Sequence, residues 1–338
     1  MSTVQEKLTE FNNVIRLDYY VNEELREKRD IIIRILKNSD KVPGFTPFNQ
    51  GSYAMNTGVK PIDKEYDIDI GIVFSGSKEK YDPWELKHIV QEVLANHTDY
   101  GAEIKRPCVT VTYKKNGERA YHVDLAIYAH DEDESNDQLY LAVGKTKGAD
   151  DVGWEKSDPK GLITYIGDME NKDERDQFRR ITRYIKRWKN LNFSPDGHSE
   201  PPSIGVTLLL HDYFQYTYDD DLRSMYSTIN IILQQFILSS VADDGRLLYR
   251  LKCSLPSHLQ FECDTDVFKK MTDLRMTTFK DKLEKLKNKL NDALVEEEPV
   301  KQCQILGEIY GDDFPLIEPT DLYQEHKSFV PYSSSSGM

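Results

Sequence analysis

The hydrophobic pattern of this chain changes period part-way along. In Tyr66 to Phe74 the residues Ile68, Ile70 and Ile72 recur every second position, which is the period of a strand. Cys108 to Tyr113 and Tyr121 to Tyr128 alternate in the same way, and Asn116-Gly117 between them is a two-residue hairpin signal. Helical spacing appears over the first forty residues, where Leu17, Val21 and Leu25 lead into an apolar face from Ile31 to Leu36. Lys41 to Phe48, with Pro43, Gly44 and Pro47, reads as a break, and Asn49 to Tyr53 as a polar turn. Asp82-Pro83-Trp84-Glu85 reads as a helix start, with Asp as N-cap, Pro at the first helical position and Glu closing a capping box. The helix it opens would bury Leu86, Ile89, Val90, Val93 and Leu94.

From about Gly161 the spacing is mostly helical. Phe178, Ile181, Ile185 and Trp188 predict one helix, Ile204 to Phe214 a second and Ile229 to Leu238 a third. Met276, Phe279, Leu283, Leu286, Leu290 and Leu294 predict a long amphipathic fourth. The expected organisation is therefore α+β: a mixed sheet with helices over residues 1–160, the N-terminal helix included, then a helical lobe over 161–325. Residues 326–338, ending Ser-Ser-Ser-Ser-Gly-Met, are expected to form a flexible tail.

Composition narrows the function classes. With 338 residues, 38% hydrophobic and 30% charged, the chain can build two lobes with real cores. No stretch approaches the roughly 20 apolar residues a membrane span needs, and Met1 to Phe11 carries no apolar signal-peptide core, so the expectation is a cytoplasmic protein without a membrane anchor. Acidic residues outnumber basic ones 58 to 44, giving a net charge of -14, which argues against a cationic face gripping duplex DNA. A small anionic ligand delivered with Mg²⁺ stays compatible, because the metal brings its own positive charge. Cys108, Cys253, Cys263 and Cys303 form no C-x-x-C pair and read as reduced, buried thiols. The eight histidines show no ligand-like cluster, and His122 receives no role. Gly144-Lys145-Thr146 ends like a P-loop, but Leu139 stands where that motif requires its first glycine.

The chemistry concentrates on two strands. Asp67 and Asp69 stand two apart, so their side chains share a face, opposite Ile68, Ile70 and Ile72. On the returning strand Tyr121, Val123, Leu125 and Ile127 alternate inward and leave Asp124 on the other face. If the two strands are neighbours, three carboxylates converge. Such a trio can hold two Mg²⁺ ions about 3.5–4 Å apart, one activating an attacking hydroxyl and one stabilising the leaving oxygen. A solvated strand edge is the plain alternative for Asp67 and Asp69 alone. Gly51-Ser52 upstream favours the functional one, since a loop of this kind can wrap phosphate oxygens. Lys186 and Lys189 lie three apart beside the apolar stripe of their helix and could reach a triphosphate as point charges. Ser203 begins an apolar helix after two prolines, as N-cap and as part of an anion-binding helix terminus.

A Gly-Ser turn, a D-x-D strand and a third Asp on a later strand together resemble nucleotidyltransferases with a polymerase-β-like core. The wider pattern includes Gln50-Gly51-Ser52-Tyr53, Lys60-Pro61, Tyr66 to Gly71, Val123-Asp124-Leu125-Ala126, Trp154, Ser157-Asp158-Pro159-Lys160-Gly161, Ile185-Lys186-Arg187-Trp188-Lys189, Pro201-Pro202-Ser203-Ile204 and Tyr310 to Pro315. Over roughly residues 48–316 it resembles the bacterial cGAS/DncV-like nucleotidyltransferases, or CD-NTases, which make cyclic oligonucleotides in CBASS anti-phage signalling.

The resemblance implies two lobes around a central cleft, with Asp67, Asp69 and Asp124 as catalytic metal ligands and Gln50, Ser52, Lys186, Lys189 and Ser203 as nucleotide contacts. It also implies Mg²⁺ as cofactor, with Mn²⁺ as a substitute, NTP substrates with ATP among them, and a HORMA-type or other CBASS partner. No His/Cys zinc insertion of the kind animal relatives use to grip DNA is present. Conjugation through a terminal glycine is at odds with Met338 following Gly337. Two rival readings share the residues: a linear oligonucleotide synthase or RNA/protein nucleotidyltransferase on the same core, and a non-catalytic nucleotide-binding module.

Overall fold

A computed structural model describes residues 3–17, 23–62, 66–115, 117–131, 138–169, 171–194, 200–259 and 266–317. Val21, Asn116, Cys263 and the tail expected over 326–338 lie outside the described residues, as does most of the acidic loop before Gln138.

The chain opens with two helices, α1 (Val4–Ile15) and α2 (Glu23–Lys37), which the reading of one early helical region did not separate. Thr3 and Glu6 close a capping box at the start of α1, and Arg16 leaves the helix in extended backbone that bridges to Val59. Strand β1 (Phe45–Asn49) then occupies what the sequence presents as a break. It survives Pro47 because it is an edge strand, where the missing N–H can face away from the sheet. A one-turn helix, α3 (Gly51–Ala54), leads toward the long β2 (Tyr66–Ser77).

Helix α4 (Pro83–Leu94) is capped by Asp82, whose side chain accepts from the backbone N–H of Glu85 at 2.9 Å. The return half of the expected capping box is replaced: the Glu85 carboxylate pairs with Lys147 at 2.5 Å. Strands β3 (Ala102–Ile104), β4 (Val109–Lys115), β5 (Glu118–His130), β6 (Leu139–Val143) and β7 (Gly153–Ser157) complete a seven-stranded mixed sheet. Its order is β1-β2-β5-β4-β3, with β6 on the far end of β5 and β7 on β6. Strand β2 runs parallel to β5, and the other pairs are antiparallel.

Helices α5 (Pro159–Gly167), α6 (Lys172–Asn192), α7 (Ser203–Asp212) and α8 (Asp221–Leu233) follow, then a hairpin of β8 (Ile237–Val241) and β9 (Leu247–Arg250). The third expected helix therefore starts earlier than Ile229, and Ile237 and Leu238 sit exposed on a strand instead of a helix face. Helices α9 (Asp273–Val295) and α10 (Pro299–Tyr310) close the described chain, and α9 buries Met276, Phe279, Leu283, Leu286 and Leu290.

Two apolar clusters hold these elements. One lies between the inner sheet face (Ile68, Ile70, Ile72, Val123, Leu125, Ile127) and α2 and α4. The other gathers α6 to α10, and α1 joins it through Leu8, Phe11 and Ile15. The N-terminal helix, expected with the sheet lobe, thus packs with the helices: Phe11 lies 4.6 Å from the Tyr310 ring and 5.3 Å from Phe314. Its apolar stripe fits either core, and only three-dimensional partners decide between them.

A buried polar knot locks α1, α6 and α8 together. Asp221 is fully buried and accepts both arms of the Arg180 fork at 2.8 Å, with further bonds from Gln177 at 3.0 Å and Tyr184 at 3.2 Å. The Tyr184 hydroxyl also donates to the Leu8 carbonyl of α1, and the Asp221 N–H donates to Gln5. Removing one partner of a buried ion pair strands the other, so Asp221→Ala should cost about 3–5 kcal/mol of stability. Urea unfolding followed by circular dichroism measures it, and a loss below about 1 kcal/mol would match only a solvated surface pair.

Candidate active site

The site is built on the register of β2 and β5. Asp69 pairs directly with Asp124, and Asp67 with His122, in a parallel ladder, so the three carboxylates share one sheet face while the isoleucines and valines cover the other. Farther along that face Gly71 carries the Phe48 ring flat against it, where an added Cβ would come within 2.0 Å of the ring. Val73, Ala126 and Tyr128 continue this small apolar floor.

Gly51 presses on the carboxylates from above. Its φ is +66°, and a Cβ there would lie 2.0 Å from Asp69 Oδ2. The requirement for glycine is therefore doubled, by backbone conformation and by close approach. Asp69 feels burial first, then the charges of Asp124 and Asp67, and these push its carboxyl up to about 7 against the opposing pull of Lys186. Asp124 is held by the Thr110 hydroxyl, which donates to its Oδ1.

Beside the carboxylates lies a cavity of about 490 Å³. Ser52 and Asp67 line it from the sheet side, and Lys186, Lys189 and Ser203 from α6 and α7. Asp69 and Asp124 lie next to it on the sheet face rather than in its lining. Gln50 is placed differently from the expectation of a nucleotide contact: its side-chain oxygen accepts from the Tyr128 hydroxyl at 3.1 Å. Ser203 also departs from its expected capping role. Pro202 is the N-cap, Ser203 is the first helical residue, and its hydroxyl accepts from Lys189 Nζ at 2.8 Å.

The two lysines are buried and engaged. Lys186 Nζ donates to the Thr57 hydroxyl at 3.1 Å and the Thr57 carbonyl at 3.3 Å. Burial, then Lys189 and Arg183, lower its ammonium to about 7, while Asp69 works the other way. Lys189 pairs with Glu200 at 3.2 Å. Thr57, Asn190, Phe193 and Glu200 line the cavity and were not singled out in the sequence. Glu200 had a signal, three residues ahead of Ser203 on the same segment; Thr57 had none.

The donor set suits a hard divalent cation. All three acids offer carboxylate oxygens, and the mutual repulsion that raises Asp69 is relieved by a cation between them. Among the described residues no three His, Cys, Asp or Glu side chains are gathered closely enough to hold an ion by themselves. A divalent cation here would therefore need water or substrate oxygens to complete its shell.

Residues 46–128 match the family model described as "Cyclic GMP-AMP synthase DncV-like, nucleotidyltransferase domain". Over these residues the chain is similar to the DncV-like nucleotidyltransferase domain. Its similarity to a cyclic GMP-AMP synthase of Escherichia albertii is 27% identity over 222 residues, covering 63% of this chain and 44% of that protein, so it spans less than half of that curated relative's length. The fold is shared with the Bradyrhizobium diazoefficiens CD-NTase CdnG, solved in complex with GTP, at a TM-score of 0.67 and 15% identity over 91% of this chain and 95% of that one. Escherichia coli CdnC, solved in a HORMA complex, superposes at a TM-score of 0.63 and 14% identity over 92% and 98% of the two chains. The likeness to these solved structures is one of fold, a mixed sheet with helices and a helical C-terminal part.

Gly51→Ala should cost at least about 2 kcal/mol, from left-handed strain plus overlap with Asp69. Gly117→Ala, at φ +89° with nothing within 4 Å of the added carbon, should cost only about 1 kcal/mol. Equal losses in thermal melts of the two variants would show that Gly51 makes no close approach in solution.

Proposed function

We propose that this chain is a Mg²⁺-dependent nucleotidyltransferase that joins NTPs, ATP among them, into cyclic di- or trinucleotide second messengers for anti-phage signalling in the cytoplasm. The observation that carries the reading is the direct pairing of Asp69 with Asp124 beside a cavity whose far wall holds two buried lysines.

In this reading Asp67, Asp69 and Asp124 hold Mg²⁺, which supplies charge neutralisation at the α-phosphate and makes the acceptor hydroxyl more acidic. Lys186 and Lys189 meet the donor triphosphate, and Ser52 and Ser203 donate hydroxyl hydrogen bonds to its oxygens. Asp124 helps to take the proton from the acceptor ribose hydroxyl. The oxygen so freed attacks the α-phosphorus, and the bond to pyrophosphate breaks. A second transfer within the linear product closes the ring. Lys189 must exchange its Glu200 partner for phosphate on substrate binding, since that pair offsets part of the cavity's positive charge. A HORMA-type protein is the partner class proposed, after the complex of the CdnC relative.

The reading is tested by incubating the full chain with labelled NTPs and Mg²⁺, treating with phosphatase and identifying products by mass spectrometry. Phosphatase-resistant oligonucleotides are expected, and phosphatase-sensitive ones would show a linear synthase instead. Asp67→Asn with Asp69→Asn should lower the rate by at least about 10³-fold, and EDTA should do the same. Lys186→Met should raise KM for NTP roughly tenfold or more through lost phosphate contacts. Turnover that survives both EDTA and the double substitution would overturn the assignment.

A further inference from the structure

A second cavity, of about 350 Å³, lies between α1, the turn at Asn56 and the middle of α6. Arg16, Arg179, Arg180 and Arg183 line it, with Asp176 as the one carboxylate. In a chain of net charge -14, this is a local excess of cations.

Arg183 is the unusual member. It is only 5% exposed, its Nε donates to Asn12 Oδ1 at 2.7 Å, and its Nη1 donates to the Asn56 carbonyl at 2.6 Å. Among the described residues no carboxylate forms an ion pair with it. Arg180 is neutralised by buried Asp221, and Arg179 has Asp176 at 3.6 Å. Burial, with Arg16 and then Arg179 and Arg180 nearby, lowers the Arg183 guanidinium to about 10. A buried cation without a counter-charge is costly, and several guanidinium forks around one cavity match the tetrahedral oxygens of a phosphate group.

The cavity shares a wall with the donor cavity. Asn56, at φ +56°, gives its carbonyl to Arg183, and the next residue, Thr57, gives its carbonyl and hydroxyl to Lys186. Arg183 and Lys186 lie within one turn of each other on α6, yet each lines a different cavity.

We propose that the arginine cavity is a second binding site, for the phosphate groups of a compact oligophosphate or nucleotide, separate from the donor cavity. The acidic chain repels long polyanions at a distance, which favours a compact ligand over a nucleic-acid strand. This inference stands independently of whether the first cavity is catalytic.

Calorimetric titration of the full chain with inorganic pyrophosphate, in EDTA at constant ionic strength, tests it. Lys186→Met, which disables the donor cavity, should retain pyrophosphate binding. Adding Arg179→Glu, at a partly exposed position, should then weaken it at least about tenfold, equivalent to about 1.4 kcal/mol. Arg16→Glu in the same background serves as a second variant, and circular dichroism and the melting midpoint establish that each stays folded. ADP in place of pyrophosphate separates the two ligand sources: tighter ADP binding indicates a nucleotide, equal binding a free oligophosphate. If Lys186→Met abolishes all binding, or the folded arginine variants bind like their parent, the second site does not exist.

Discussion

Asp69 faces Asp124 across a parallel strand pair, with Asp67 on the same side, and this crowding of negative charge organises the surrounding structure. Like charges in a partly buried place must be met by something positive or lose their ionisation. The chain brings Lys186 within electrostatic reach from α6, an element of the other apolar cluster. Gly51 leaves room for Asp69, and Gly71 leaves room for the Phe48 ring that seals the floor behind it. The inner faces of β2 and β5, packed on α2 and α4, fix the register that makes the acids meet.

Period-2 patterns showed most of this, because a strand's two faces separate its apolar and acidic residues. Ile68-Asp69-Ile70 and Val123-Asp124-Leu125 each mark a face and locate the acid on it. What they leave open is adjacency, which the parallel pairing of β2 and β5 settles. Strand β1 was hidden by Pro47, tolerated at an edge, and α1 by an apolar stripe that says nothing of which core receives it. Lys186 and Lys189 were recognisable as charges beside an apolar stripe, whereas Thr57 and Gln50 depend on neighbours distant in sequence. Cys253 and Cys303 of the helical part are buried free thiols, as the lack of any C-x-x-C pair in the sequence predicts.

The two cavities differ in how their cations are balanced. Around the first, Glu200 pairs with Lys189 on one side, and the aspartates of the sheet lie across from the two lysines. Around the second, Asp221 is buried under Arg180, Asp176 alone of the carboxylates lines the cavity beside Arg179, and Arg183 meets backbone and amide oxygens. Helix α6 supplies all of these cations except Arg16, and it is buried over much of its length.

The packing of Phe11 against Tyr310 and Phe314 joins the beginning of the chain to a segment some three hundred positions later. A ribosome releases α1 well before its partners in α10. Leu8, Phe11 and Ile15 therefore gain the surfaces of α6 and α8 only midway through synthesis and the α10 rings later still, while the sheet and its own helices can already close. The order of assembly is thus the reverse of the order of emergence for this one helix, and a shielding chaperone would find its natural target there.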